Sequence, residues 1–426
     1  MRSFFASPSS LQGHLTVPSS KSHTLRAVFF AFLARGTSYI HDFLPSPDTT
    51  AMIQAVRQLG AEVEILENTL KIRGCAGNPT PSSDVIDCGN SGLVLRFIGA
   101  IAGLISQYTI LTGDASIRQS RVAAPLLRGL EQLGAFAVSS RENGFAPLVI
   151  KGPITQAYAD IDGKDSQPVS GLLMAAAFAS HPIEVHVQNP GEKPWIDLTL
   201  YWFDKLGISY ERRGYSCYRM AGNSQIQGFE YRVPGDFSTA AFPIVAAILT
   251  HSELTLHNMD MKDPQGDKAI IPLLQSMGAI IHTDEEKGSL TIKPGKKLEG
   301  KIIDLDDSID AVPILAVLAC FATSRTEIVN ASMARNKESD RIHCIAMELQ
   351  KMGALIEEKP DGLVIEPSIL YGAKLYAHHD HRLALALTVA ALGAAGPSEI
   401  VGAECMDKTY PSFFDDFKSL GANFYE

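Results

Sequence analysis

The chain lacks any long hydrophobic run and any recognisable targeting segment. Its longest apolar stretches, such as Ala311 to Ala322, fall well short of the roughly 20 residues that a membrane-spanning helix needs. Residues Met1 to Leu15 contain no basic segment followed by an apolar one, so we expect no signal peptide. These features predict a cytoplasmic protein without a membrane partner.

Cysteine motifs and an excess of positive charge are also missing. The six cysteines are scattered, with no CxxC pair and no histidines at metal-ligand spacing, which predicts reduced thiols rather than disulfides or a metal site. Acidic residues number 47 against 37 lysines and arginines, for a net charge of -10. Because nucleic acids require a basic surface, this charge argues against a nucleic-acid partner.

What the sequence does contain is an internal repeat. The 426 residues, 46% hydrophobic and 20% charged, predict a compact protein with two domains of about 200 residues each. An amphipathic helix that ends in Leu or Met, then Gly, then Ala or Ile, recurs six times and is followed by a strand. The copies lie about 70 residues apart, and their glycines are Gly60, Gly134, Gly207, Gly278, Gly353 and Gly421. Glycine at this position can adopt the left-handed conformation that ends a helix.

A second helix, rich in Ala and Leu, lies earlier in every copy. These helices are apolar on nearly all sides, which predicts burial at the centre of a domain. They are expected near residues 26–34, 93–104, 171–180, 240–250, 311–322 and 382–395. Six copies of a βαβαββ-like unit, three in each half, predict a two-lobed α/β protein.

Polar residues collect just before these buried helices. Ser, Asp and Asn are good N-caps there, and capping alone is the simplest interpretation of Gly235–Ser238. Capping does not explain Lys21, Arg26 and Arg382, because a cation at a helix start opposes the helix dipole by a few tenths to about 1 kcal/mol. A small polyanion bound at several helix starts would remove this conflict.

Eight motifs follow one another along essentially the whole chain. They are Val17–Arg26, Gly89–Gly92 with Arg96, Leu111–Asp114 with Arg121, Ser166–Gln167, Asp310–Ala311, Arg335–Arg341, Asp380–Arg382 and Lys408–Pro411. In this order they resemble the motifs of the EPSP synthase family of enolpyruvyl transferases. The resemblance implies a two-lobed inside-out α/β barrel of six βαβαββ repeats, three per domain. It implies a first lobe at residues 17–233 and a second at residues 1–16 and 234–426.

The resemblance also implies a reaction and a set of site residues. Phosphoenolpyruvate would be joined to the 5-hydroxyl of shikimate 3-phosphate with release of phosphate, by a monomer that uses no metal or organic cofactor. The implied phosphoenolpyruvate ligands are Lys21, Asn90, Gly92, Arg121, Gln167, Arg341, Arg382 and Lys408. The implied shikimate 3-phosphate ligands are Lys21, Ser22, Arg26, Ser166, Gln167, Asp310 and Lys337. Asp310, Glu338 and Lys21 are the implied catalytic residues, and His381 has a structural or orienting role.

Three positions depart from the family pattern, all on the acceptor side. Asp165 and Glu192 stand where serines usually contact the acceptor phosphate, and Trp195 replaces a tyrosine. We expect the two carboxylates to point away from the phosphate or to pair with Lys164 and Lys193. Three alternatives therefore stay open: an acceptor without the phosphate, UDP-N-acetylglucosamine as acceptor, and a non-catalytic binding protein. The missing cysteine between Asp114 and Arg121 argues against the second alternative, and the presence of the catalytic residues argues against the third.

Overall fold

The computed structural model describes residues 2–425 and contains two compact units. Unit 1 comprises Met1–Ser20 and Pro234–Glu426, and unit 2 comprises Lys21–Val233. The sequence placed the first crossing near Val17, whereas the structure places it at Lys21. The reason is that Ser20 donates its backbone N–H to Pro234 and Ser19 forms a bridge with Gly235, so both serines belong to unit 1.

Each unit contains three four-stranded sheets. In unit 2 the first sheet has β3 (Thr37–His41), β4 (Glu62–Leu66), β5 (Thr69–Arg73) and β14 (Glu230–Arg232). The second has β6 (Ile86–Asp87), β7 (Thr109–Thr112), β8 (Phe136–Ser139) and β9 (Leu148–Lys151). The third has β10 (Tyr158–Asp162), β11 (Ile183–Gln188), β12 (Tyr210–Arg213) and β13 (Cys217–Met220).

The sheets of unit 1 have the same size. The first has β2 (Gln12–Thr16), β15 (Glu253–His257), β16 (Ile280–Asp284) and β17 (Ser289–Lys293). The second has β18 (Ile302–Asp304), β19 (Thr326–Val329), β20 (Leu355–Lys359) and β21 (Gly362–Glu366). The third has β1 (Ser3–Ser7), β22 (Lys374–Tyr376), β23 (Ser398–Val401) and β24 (Asn423–Tyr425).

All six sheets share one pattern of strand pairing. One parallel pair, such as β10 with β11, is followed by two antiparallel pairings, such as β11 with β13 and β13 with β12. Three sheets are completed by distant segments, because β14 pairs with β3, β2 pairs with β15, and β1 lies between β23 and β24. The predicted mixed α/β class and sixfold repeat are therefore confirmed.

Three inner helices form the core of each unit, which makes six in all. They are α1 (Lys21–Leu33), α3 (Gly92–Ala102) and α6 (Ser166–Phe178) in unit 2, and α8 (Phe237–Leu249), α10 (Val312–Cys320) and α12 (His381–Gly393) in unit 1. Nearly every residue of these helices is buried, as their apolar composition predicted. Two begin five residues earlier than predicted, at Lys21 and Ser166, so several of the predicted site residues lie in their first turns.

Each outer helix is followed, within two residues, by one of the repeated glycines. These helices are α2 (Pro47–Gln58), α5 (Ala124–Gln132), α7 (Lys193–Leu206), α9 (Ile270–Ser276), α11 (Arg341–Lys351) and α13 (Phe413–Ser419), and a short α4 (Ala115–Gln119) precedes α5. All six repeated glycines have positive φ, between 70° at Gly207 and 109° at Gly278. The predicted left-handed helix ends are thus present, in a conformation that costs other residues about 1–2 kcal/mol.

Within residues 2–425, none of the helices combines the length and the apolar character that crossing a membrane requires.

Candidate active site

In unit 1, Arg382 connects the starts of three inner helices. The Asp380 side chain caps α12 and accepts a hydrogen bond from the backbone N–H of Arg382 at 2.9 Å. The Arg382 guanidinium donates to the Ser238 hydroxyl at 3.0 Å and to the Asp310 carboxylate at 2.7 Å. Its Nε atom is buried and has no hydrogen-bond partner within the described residues.

Arg341, the first residue of α11, binds three carboxylates at once. Its Nε and Nη2 atoms donate to Asp380 at 2.8 and 3.3 Å. Its Nη1 atom donates to Asp310 at 2.6 Å, and Nη2 also donates to Glu338 at 2.6 Å. The Arg341 side chain is only 2% exposed. These carboxylates raise the pKa of Arg341 against the opposing effect of burial, so its charge is fixed.

Glu338 and Lys408 extend this network. The Lys408 ammonium, on a 3-10 helix at Ala403–Lys408, donates to Glu338 at 2.9 Å, and both side chains are less than a tenth exposed. Lys337 is buried beside them. Arg341, Arg382, Lys337 and Lys408 therefore lie together with several carboxylates in unit 1, and such guanidinium and ammonium groups suit an anionic ligand.

Asp310 lies at the centre of this charge pattern. Burial alone would raise its pKa, but Arg382, Arg341 and Lys337 together outweigh burial and hold the pKa of Asp310 well below its usual range. The carboxylate is therefore ionised at neutral pH. It lies on a short 3-10 helix at Ile309–Ala311, just ahead of α10, rather than within the inner helix.

In unit 2, a residue that the sequence did not single out connects α1 with α3. Asp48, in the first turn of α2, accepts a hydrogen bond from the Ser91 hydroxyl at 2.9 Å, and its carboxylate lies 3.6 Å from the Lys21 ammonium. Ser91 is the N-cap of α3. Asp48 is almost completely buried. The only signal in the sequence was an acidic residue after Pro47, which is ordinary for the first turn of a helix.

Arg26 is buried on α1 among neutral oxygen atoms. Its guanidinium donates to the Thr199 hydroxyl at 3.0 and 3.2 Å, to the Trp195 carbonyl at 3.2 Å and to the Ser22 carbonyl at 3.3 Å. It also lies 5.2 Å from the centre of the Phe97 ring. Burial without a carboxylate lowers the pKa of Arg26 to about 9, so the group is still charged at pH 7. A bound anion would stabilise this charge.

Gly92 begins α3 beside three predicted or neighbouring site residues. A Cβ atom at Gly92 would lie 2.8 Å from Arg96 Nη1, 3.0 Å from Gln167 Oε1 and 3.8 Å from Arg121 Cζ. Glycine therefore lets these side chains approach the backbone at the helix start. Gln167 Oε1 and Arg96 Nε are buried, and neither has a hydrogen-bond partner among residues 2–425.

The structure distinguishes Arg121 from its neighbour Arg118. Arg121 is buried and close to Gly92, whereas Arg118 is exposed and donates to the Gly113 carbonyl. Asn90 is turned toward the start of α4, because its amide donates to Asp114 at 2.8 Å and to Ser116 at 3.1 Å. The side chain of Asn90 thus stabilises this helix start.

The two unusual carboxylates have partners around the start of α6. Asp165 is the N-cap of α6, where it accepts from the Gln167 N–H at 3.0 Å and lies 3.3 Å from Arg96. Glu192 accepts from both the N–H and the hydroxyl of Ser166. The sequence suggested that these carboxylates point away or pair with Lys164 and Lys193. These contacts direct both carboxylates toward the helix start, and their pairing with Lys164 and Lys193 stays a prediction.

Two groups of side chains in the described part of the chain have the composition of a metal site. They are Glu338, Asp380 and His381, and Glu184, His186 and Cys217. The carboxylates of the first group already bind Arg341 and Lys408. In the second group, strand pairing places Arg219 opposite Glu184 and Arg213 opposite Cys217, so the carboxylate charge is already balanced. We therefore assign neither group to a metal.

Comparisons with known proteins agree along the whole chain. The sequence profile described as EPSP synthase (3-phosphoshikimate 1-carboxyvinyltransferase) matches residues 5–417. A 3-phosphoshikimate 1-carboxyvinyltransferase of Chlamydia caviae is 46% identical over 428 aligned positions, which cover 100% of this chain and 95% of the relative. That of Ruminiclostridium cellulolyticum is 41% identical and covers 97% of both chains. A solved EPSP synthase of Acinetobacter baumannii superposes with a TM-score of 0.83 at 27% identity, covering 100% of this chain and 99% of the other.

Proposed function

Because this chain belongs to the EPSP synthase (3-phosphoshikimate 1-carboxyvinyltransferase) family, we propose that it transfers the enolpyruvyl group of phosphoenolpyruvate to the 5-hydroxyl of shikimate 3-phosphate. The observation that carries the proposal is the binding of Asp310 by both Arg341 and Arg382 in a buried cluster of guanidinium and ammonium groups. Such a cluster provides an ionised base next to guanidinium groups that bind anions.

Phosphoenolpyruvate brings a carboxylate and a phosphate, and both are suited to guanidinium and ammonium donors. The proposed donors from unit 1 are Arg341, Arg382 and Lys408, and the buried Nε atom of Arg382 has no hydrogen-bond partner within residues 2–425. The proposed ligands from unit 2 are Lys21, Asn90, Gly92, Arg121 and Gln167. The contacts around Gly92 support this role, because the helix start is accessible to a small anion only where no side chain intervenes.

The proposed acceptor is shikimate 3-phosphate. Its proposed ligands are Lys21, Ser22, Arg26, Ser166, Gln167, Asp310 and Lys337. The buried charge of Arg26 supports an anionic acceptor, since all its hydrogen-bond partners in the protein are neutral oxygens. The buried oxygen of Gln167 is suited to accept a hydrogen bond from an acceptor hydroxyl.

The proposed chemistry is an addition followed by an elimination. Asp310 takes the proton of the 5-hydroxyl as its oxygen attacks carbon 2 of phosphoenolpyruvate, and Glu338, in its protonated form, delivers a proton to the methylene carbon, which becomes a methyl group. The ketal then returns a proton from that methyl group to Glu338 as phosphate leaves carbon 2, and Asp310 gives its proton to the departing phosphate. Lys21 and the other cations stabilise the charge on the phosphate during both steps.

The test is release of inorganic phosphate from phosphoenolpyruvate by the purified chain. We expect release only when shikimate 3-phosphate is also present, and we expect Asp310→Asn to lower kcat by about 10²- to 10⁴-fold. Phosphate release with shikimate but not with its 3-phosphate would refute the assignment of the acceptor. The absence of release with either acceptor would refute the activity.

We also propose that the chain acts in the cytoplasm and as a monomer. All six cysteines are free thiols, which supports a reducing compartment. All proposed ligands for both substrates belong to one chain, which supports function without a second copy. Size-exclusion chromatography with light scattering tests the monomer.

A further inference from the structure

Glu192 occupies the anion-binding position at the start of α6. Its Oε2 atom accepts a hydrogen bond from the Ser166 N–H at 3.0 Å and another from the Ser166 hydroxyl at 2.9 Å. Both residues are only 2% exposed. A helix start with a free N–H and a hydroxyl is a typical site for an external anion. Here that position is taken by a carboxylate of the same chain.

The backbone around Glu192 is fixed by the neighbouring loop. Gly163 donates its N–H to Gln188 at 2.7 Å, and Gly191 donates its N–H back to Gly163 at 3.0 Å. A Cβ atom at Gly191 would lie 2.8 Å from the Lys164 carbonyl oxygen, so the two loops are in close contact. Because these contacts hold the two loops together, we expect a rotation of the Glu192 side chain, rather than a shift of the loop, to free Ser166.

The conformation of Glu192 is itself unfavourable for a residue of its type. Its φ is +46°, in the left-handed region, and it precedes α7 without capping that helix through its side chain. Left-handed backbone at residues other than Gly, Asn and Asp is uncommon and often marks a functional position. The hydrogen bonds from Ser166 stabilise Glu192 in this conformation.

We propose that the Glu192 carboxylate occupies the acceptor-phosphate site and is displaced when shikimate 3-phosphate binds. The inference rests on the proposed function, in which Ser166 binds that acceptor. A carboxylate and a phosphate repel each other and cannot both use the two donors of Ser166. Glu192 therefore sets the affinity for the phosphorylated acceptor and acts as a specificity-determining residue.

Replacing Glu192 tests this role. Glu192→Ser removes the competing anion, and we expect the Kd for shikimate 3-phosphate, measured by calorimetry, to fall about tenfold, because roughly one charged hydrogen bond no longer has to be broken when the phosphate binds. Glu192→Gln keeps the shape but not the charge, so a smaller fall is expected. The Kd for unphosphorylated shikimate and the KM for phosphoenolpyruvate should not change, because neither involves the acceptor phosphate.

The matched control is Glu184→Gln, which removes a carboxylate from the same unit where it binds His186 rather than Ser166. It should leave all three constants unchanged. An unchanged or weakened affinity of both Glu192 variants for shikimate 3-phosphate, with wild-type circular dichroism, would overturn the proposal. If Glu192→Ser does not fold, the Kd of Glu192→Gln for shikimate 3-phosphate tests the proposal by itself. If the wild-type chain does not use shikimate 3-phosphate at all, the proposed function fails instead, and the phosphate-release assay detects that separately.

Discussion

The replacement of Arg341 by Gln tests whether this guanidinium holds the three carboxylates of Asp310, Glu338 and Asp380 together. Arg341 makes four hydrogen bonds to three carboxylates, at distances between 2.6 and 3.3 Å. Its side chain is 2% exposed, and that of Asp380 is fully buried. The neutral amide of Gln would leave Asp380 without its principal charged partner. Breaking a buried ion pair in this way costs about 3–5 kcal/mol.

Urea unfolding followed by far-ultraviolet circular dichroism measures this loss. With a denaturant dependence of about 3 kcal/mol per molar urea, the midpoint of unit 1 should fall by about 1–1.5 M. Tryptophan fluorescence distinguishes the units, because Trp195 and Trp202 both lie in unit 2. The fluorescence transition should therefore shift less than the dichroism transition.

Arg325→Gln is the matched control for Arg341. Arg325 pairs with Glu327 at 2.8 Å on the surface, where its side chain is 52% exposed. Such pairs contribute at most about 1 kcal/mol. If Arg341→Gln were no less stable than Arg325→Gln, the interpretation of Arg341 as the charge that holds the three carboxylates together would be refuted.

Three further predictions concern single positions. Cations depress the pKa of Asp310, so its carboxylate contributes stability at neutral pH that is lost as the pH falls through the folded-state pKa. The difference in the free energy of unfolding between wild type and Asp310→Asn, measured by urea melts, should therefore shrink on acidification. A constant difference at all pH values would contradict this. Gly92→Ala should raise the KM for phosphoenolpyruvate several-fold, since its Cβ would lie 2.8 Å from Arg96; an unchanged KM would show that the helix start does not contact the substrate. Glu348→Ala should cost about 3 kcal/mol in thermal or urea unfolding, because this buried carboxylate binds His378 at 2.6 Å and the Tyr376 N–H at 3.1 Å; a change below about 1 kcal/mol would argue against that role.

The repeat was predictable from the sequence because it depends on local chemistry. A glycine such as Gly278 with φ of 109° ends its helix within a few residues of chain, and an inner helix such as α12 is recognisable by its apolar residues alone. The order of six such units then determines which strands belong to one sheet. The pairing of strands from opposite ends of a unit, such as β14 beside β3, required the structure, since these strands are distant in the sequence.

The positions of the candidate site residues were only partly predictable. Cations at helix starts are visible in the sequence because they conflict with the helix dipole, as Lys21 and Arg382 do. Their partners are not visible, since Asp48 and Asp380 have residue types that capping already explains. The contact between Glu192 and Ser166 likewise depends on how two loops pack, which no periodicity in the sequence reports.

The most direct test of the proposed transfer is mass spectrometry of the product formed in heavy water. Protonation of the methylene carbon creates a methyl group that contains deuterium, and its loss of one hydrogen leaves deuterium in the vinyl group of the product. We expect deuterium in the enolpyruvyl group only when shikimate 3-phosphate and phosphoenolpyruvate are both present, and much less product with Glu338→Gln. A product that forms at the full rate without deuterium would contradict the addition–elimination account.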